Sequence, residues 1–241
     1  VENTLIGSLA GDALTTGSYN VGLGHVALTT DTTGSRSTAL GYGALYAQNF
    51  TSSSNSDNVA VGYDAGGAIT TGSNSVIIGA LAGNALTTGV YNVALGTNAL
   101  GAATTDNNST AIGQQSLGNQ NTQTDSHNTG CGYLTGYYLT TGTANTFIGS
   151  LAAFGSSSTA LTGNSNTCVG YKTGFALEGA ANSNTFVGSN SGQSATTATL
   201  NTTLGVSAGA SITDGSGNIM IGIEAGHNSV AVNTGDNNIL I

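Results

Sequence analysis

Hydrophobic and polar positions along this chain recur in one short phrase: Asn or Ser, a β-branched residue, a variable residue, an aliphatic, then Gly. The phrase ends at Gly7, Gly24, Gly41, Gly62, Gly79, Gly96, Gly113, Gly132, Gly149, Gly170, Gly188, Gly205 and Gly222. A fourteenth copy, Asn238-Ile239-Leu240-Ile241, lacks its Gly. The glycines stand 17 residues apart in eight of twelve intervals and 18 to 21 apart in the other four. A short fixed period predicts stacked coils, none of which can bury its apolar face alone. The Gly in every period and the lack of a 3.6-residue pattern exclude helix. The expected fold is all-β: a parallel β-solenoid of about 13–14 coils, residues 1–241 forming a single repeat domain.

With each Gly numbered 0, position −3 is Thr, Val or Ile in every copy, and −1 is Leu, Ile or Val except at Cys131. Residues i and i+2 of a strand share a face. Positions −3 and −1 are therefore expected to point together into the coil. Position −2 then faces the other way, and it is apolar or small almost throughout, Thr203 being the polar exception. A face exposed to water should be polar. The expectation is a partner chain covering it, with Leu5, Ile77, Phe147, Cys168, Phe186, Met220 and Leu240 at the interface of a homo-oligomer. Position +3 is small in every copy, which suits a narrow coil. A Leu-Thr-Thr-Gly corner follows in the plainest copies (Leu14 to Gly17, Leu86 to Gly89, Leu139 to Gly142). Position −4 is Asn in eleven copies and Ser in three; these side chains can bond one another as a ladder or bond turn backbone.

Asn92-Val93-Ala94-Leu95-Gly96, Asn58-Val59-Ala60-Val61-Gly62 and Ser75-Val76-Ile77-Ile78-Gly79 resemble the head repeat of trimeric autotransporter adhesins (YadA-like heads). Asn145-Thr146-Phe147-Ile148-Gly149-Ser150-Leu151-Ala152 also resembles repeats of phage tail fibres and bacterial adhesive fibres. The resemblance covers the whole chain. It implies a left-handed parallel β-roll, three of which pack around an axis as a homotrimer. It also implies an extracellular, cell-surface or virion-tail location and a cell-surface receptor such as a polysaccharide. The 17-residue period with its Thr-Thr-Gly corner is longer than the usual adhesin head repeat, which favours the fibre relatives. Beginning and ending in mid-repeat, the sequence reads as a segment of a longer fibre or a processed chain.

Charge narrows the partners. Only 13 of 241 residues are Asp, Glu, Lys or Arg, and the net charge is −9. Arg36 and Lys172 alone cannot neutralise a phosphate backbone, so no nucleic acid partner is expected. No apolar run approaches the roughly 18 residues of a membrane span, so no insertion is expected. The glycines serve the period and no Lys follows them, so no phosphate loop and no cofactor is expected. Asp106-Asn107-Asn108 and Asp236-Asn237-Asn238 offer oxygen ligands for Ca²⁺, or serve as ordinary turns.

Function is expected on the longer coils, since loops on a rigid scaffold carry variation. Tyr42, Tyr46 and Phe50 occupy one such coil, Tyr63 follows on the next, and Phe154 occupies another. Aromatic rings beside polar residues suit sugar faces, and these five are the candidate ligand-binding residues; surface packing is the bland alternative. Cys131 and Cys168 lie two coils apart, too far to bridge. His25, His127 and His227 lie in distant coils and read as surface residues. Asp57 and Asp64 are the only carboxylate pair worth testing for glycosidic chemistry, and no catalytic role is expected. The leading reading is a structural or adhesive trimeric fibre. The alternative is a filament subunit joined end to end through its terminal coils. An ice-binding solenoid ranks third, because the regular Thr at −3 is expected to face inward.

Overall fold

A computed structural model describes residues 2–227 and 234–241 and divides the chain into two compact units. One comprises Val1–Gln115 with Asn121–Ser126, the other Ser116–Gln120 with His127–Ile241. The first unit holds β1 (Thr4–Ile6), β2 (Val21–Leu23), β3 (Gly34–Ser35), β4 (Thr38–Leu40), β5 (Ser54–Asn55), β6 (Val59–Val61), β7 (Val76–Ile78), β8 (Val93–Leu95) and β9 (Thr110–Ile112). The second holds β10 (Thr129–Cys131), β11 (Thr146–Ile148), β12 (Thr167–Val169), β13 (Thr185–Val187), β14 (Thr202–Leu204), β15 (Ile219–Ile221) and β16 (Ile239–Leu240). Each repeat contributes one strand to the main ladder, and β3 and β5 pair separately. Within each unit the strands pair parallel with like positions in register, as in Thr146↔Thr167 and Ile148↔Val169. The chain is thus an all-β parallel solenoid of about fourteen coils with a period near 17 residues. Among the described residues there is no helix, and hence none long enough to cross a membrane.

Two devices hold coil to coil. The Gly at position 0 sits at φ between about +123° and +147°, a region closed to L side chains. A Cβ there would strike the carbonyl of the next Gly, for example at 2.3 Å between Gly24 and Gly41. The second device is the buried Asn rank. Asn184 Oδ1 accepts from the Asn201 backbone N–H at 3.1 Å, and Asn184 Nδ2 donates to the Ala198 carbonyl at 2.7 Å. The same pair of bonds recurs from Asn145 through Asn218, so the rank is both ladder and corner brace. Buried amides are thereby satisfied twice per coil.

The strand faces are the reverse of the expectation. In β7 and β11 the central residues, Ile77 and Phe147, are fully buried, as are Cys168, Phe186 and Met220. These are position −2, and they fill the inside of the coil. The expected interface set is therefore corrected: Ile77, Phe147, Cys168, Phe186 and Met220 have no surface to offer a partner. Leu5 and Leu240, in terminal coils, belong to the same inward rank, Leu5 lying against Gly11 and Gly22. The reason is room. A three-residue strand on a narrow coil sends one side chain in and two out, and the interior is shared with position +4 and the corner Leu. Large residues at −2 accompany Gly at +4, or Ala153 in the case of Phe147: a Cβ on Gly192 would lie 2.6 Å from the Phe186 ring, and one on Gly226 would lie 2.5 Å from Met220 Sδ. Small residues at −2 (Gly22, Ala39, Ala94) accompany Leu28, Leu45 and Leu100, all buried.

Positions −3 and −1 consequently face outward. Val21, Leu23, Val76, Leu95 and Ile112 in the first unit are exposed, as are Ile148, Leu204, Ile219 and Ile221 in the second.

The packing yields stability predictions for four variants, all read by denaturant unfolding. Asn184→Ala orphans the Ala198 carbonyl and the Asn201 N–H and should cost about 1–3 kcal/mol for each, whereas Phe147→Ala should cost about 3–5 kcal/mol by cavity formation. Ser116 Oγ is buried without a hydrogen-bond partner in the rank that is Ala in most coils. Ser116→Ala should therefore stabilise the chain by about 1 kcal/mol. Thr173→Ala should destabilise it, because that hydroxyl donates to the Gly188 carbonyl at 2.7 Å.

Candidate functional site

The longer coil after Gly41 is anchored from within. Asp31 is fully buried and accepts from Gly34 N–H at 3.0 Å, Phe50 N–H at 3.3 Å and Gln48 Nε2 at 2.6 Å. Gln48 in turn accepts from Asn58 Nδ2 at 2.9 Å. This polar cluster and the small β3–β5 ladder draw Phe50 inside. Phe50 is buried, so its expected ligand-binding role is corrected.

Tyr42, Tyr46 and Tyr63 are brought together. Tyr42 and Tyr63 occupy position +1, immediately after the stacked Gly41 and Gly62, and their rings stack at 5.4 Å and 12°. His25, at +1 one coil earlier, stacks on Tyr42 at 5.4 Å and 24°. Only small residues, Ser8 and Ala80, occupy +1 on the flanking coils. Tyr46 joins through the turn in which its N–H bonds the Gly43 carbonyl at 3.1 Å.

Beside the rings lies a cleft of about 370 Å³ lined by Val26, Tyr42, Gly43, Tyr46, Tyr63 and Asp64. Its cause is a missing side chain. Position +2 carries Val26 and Asp64 on the neighbouring coils, but Gly43 in between. Gly43 is the only Gly in that rank, a signal visible only when equal positions of successive coils are compared. His25, expected as an isolated surface residue, joins the ring stack.

Asp64 forms one wall. Its backbone N–H bonds the Tyr42 carbonyl at 2.8 Å. Among the described residues its carboxylate has neither a basic partner nor a hydrogen-bond donor. Burial accordingly raises its pKa above the ordinary value of 3.8. Asp57 lies instead against Arg36 at 4.0 Å on the surface, so the two carboxylates singled out in the sequence have different surroundings.

Phe154 belongs to the other unit. Its ring stacks with Tyr137 at 5.9 Å and Phe175 at 5.3 Å and meets Tyr138 edge-on at 5.2 Å. Lys172 Nζ stands 5.5 Å from the Tyr171 ring and 5.6 Å from the Phe175 ring. Tyr137, Tyr138, Phe154 and Phe175 are half-buried, and Tyr171 is exposed.

Cys131 and Cys168 are unbridged. Burial pushes the Cys168 thiol pKa far up, leaving it protonated and unreactive. The Asp/Asn corners are used as turns: Asp106 accepts from Thr122 N–H and Oγ1, each at 2.7 Å, and Asp236 accepts from Ser216 N–H at 2.7 Å.

Because the native state holds the Asp64 proton more tightly than the unfolded chain, stability attributable to this group falls as pH rises through its titration. Asp64→Asn should remove that loss. Its unfolding midpoint should rise relative to the parent between acid and neutral pH, with the two curves converging below the unfolded carboxylate value of 3.8.

No protein-family model, curated protein or solved structure matches this chain.

Proposed function

We propose that the chain is the shaft or receptor-binding segment of an extracellular adhesive fibre, on a cell surface or a virion tail. In this reading it assembles as a homotrimer and holds a cell-surface glycan at the tyrosine cleft. The observation that carries the reading is the outward sheet face. Positions −3 and −1 contain no Asp, Glu, Lys or Arg in any copy, and they expose aliphatic side chains coil after coil. A contiguous uncharged apolar strip of this kind marks an association surface. Within each unit the in-register strands repeat it from coil to coil, a regular surface that a symmetric assembly can use. The partner contact thus moves to the face opposite the one expected from sequence, and the homo-oligomer itself remains the preferred state. The tyrosines, exposed next to a carboxylate, supply the ring faces and acceptor that suit a sugar.

The same face favours a second reading in the second unit. Thr129, Thr146, Thr167, Thr185 and Thr202 stand in one outward rank. Among the described residues their hydroxyls have no partner within the chain. Corner threonines, by contrast, spend theirs on backbone, as Thr87 does on the Thr104 carbonyl at 3.0 Å. Free hydroxyls and methyls repeating at about 4.8 Å along the ladder form an uncharged lattice able to order water. The reason for ranking an ice-binding surface low, an inward Thr rank, is removed.

Light scattering on the purified chain separates the readings. A threefold mass, three times 23.5 kDa, that falls to the monomer in Ile148→Lys/Val187→Lys with unchanged circular dichroism is expected for the fibre. A parent monomer sinks the trimer. Thermal hysteresis abolished by Thr167→Tyr would then assign the face to ice.

A further inference from the structure

The tyrosine cleft has a chemistry more specific than a sugar platform. Three tyrosine rings and one carboxylate line it together with Val26 and Gly43, and no basic group does. Tyr42 is stacked between His25 and Tyr63, so the ring faces left to a ligand are those of Tyr46 and the outer side of Tyr63. Such faces carry negative potential, and an organic cation set against them is attracted without the dehydration cost of a compact ammonium. The Asp64 carboxylate stands beside them with no cation of its own among the described residues. A neutral sugar could donate hydroxyls to that carboxylate but would leave its charge without a counter-ion, and an acidic sugar would be repelled by it. The net charge of −9 favours the approach of a cation.

We propose that this cleft binds a quaternary ammonium group, the trimethylammonium of a choline-like substituent, with Tyr46 and Tyr63 as its aromatic wall, Tyr42 bordering it by its edge, and Asp64 as its counter-ion. The inference rests on the receptor-binding reading only for the source of the group, a decorated surface polymer rather than a free solute. The cleft volume of about 370 Å³ accommodates the headgroup and leaves the attached chain in solvent. Gly43 admits it, and Asp64 and the rings select it.

The test is a titration followed by NMR of the tyrosine ring resonances. The probes are choline chloride, tetramethylammonium chloride, the neutral carbon isostere of choline (tert-butyl in place of trimethylammonium) and a neutral hexose oligosaccharide. Choline and tetramethylammonium should shift Tyr42, Tyr46 and Tyr63, and the isostere should bind about tenfold more weakly. Asp64→Asn should weaken choline binding by about tenfold as well. Gly43→Leu should abolish it while leaving the fold intact, since Leu9, Leu81, Leu134 and Leu151 occupy that rank at the same left-handed φ. An isostere that binds as well as choline, or choline binding that survives Gly43→Leu, overturns the proposal. Oligosaccharide shifts without choline shifts would overturn it and leave the glycan reading standing. Choline binding by a monomeric chain would support it and remove the fibre reading alone. Dextran carrying trimethylammonium groups distinguishes the sources. Binding far tighter than per-group choline affinity, lost in Gly43→Leu, assigns a polymer ligand through multivalency, and equal affinity assigns a small solute.

Discussion

The amide of the −4 Asn is the interaction on which the architecture turns. Its oxygen takes the N–H of the next coil and its nitrogen takes the carbonyl of a corner, so a single side chain fixes both the stacking and the closure of a coil. Ser substitutes at three places; Ser75 Oγ still accepts from the Asn92 N–H at 3.1 Å, whereas at Ser37 the bracing is rebuilt from other groups. Around Ser37 it comes from Gln48, Ser56 and Asp31, and that rebuilt bracing accompanies the longer coil beside which the candidate site lies. A break in the regular ladder and the longer coil therefore occur together. The stacked Gly carbonyls add the second constraint, since a side chain at that position would separate the coils it joins.

Period, strand positions, coil count and corners were legible in the sequence because each is tied to a residue type with one conformational use: Gly for the stacked bend, Asn for the ladder, β-branched residues for the strand edge. The face assignment was not. Aliphatics at −3 and −1 look like core, and a −2 position ranging from Gly22 to Phe186 looks like surface. The information was present in a different form. In most coils the sizes at −2 and +4 compensate, Ile77 with Gly83 and Phe186 with Gly192 against Ala39 with Leu45 and Ala94 with Leu100. Where both are small, at Ala60/Gly66 and Gly130/Gly136, side chains of adjacent coils fill the space, Leu45 in one and Leu117 with Phe147 in the other. Two positions that trade volume share a cavity, which places −2 indoors.

The site shows the same division. Tyr42 and Tyr63 were readable because equal positions on adjacent coils must stack. Phe50 was misplaced, since its burial depends on Asp31 and Gln48 reaching it from separate coils, a tertiary fact. The cleft itself escaped notice because it is made by an atom group that is not there.

That last feature carries a consequence for how such a surface diversifies. The +2 rank holds residues as different as Val26, Asp64, Asn98, Lys172 and Glu224 in one left-handed conformation, so the backbone is indifferent to what it bears. A recess can then be opened at one level by a change to Gly, or sealed by the reverse, with the neighbouring levels untouched. The solenoid behaves as a keyboard whose keys are altered one at a time, and specificity can drift quickly over a scaffold that scarcely changes.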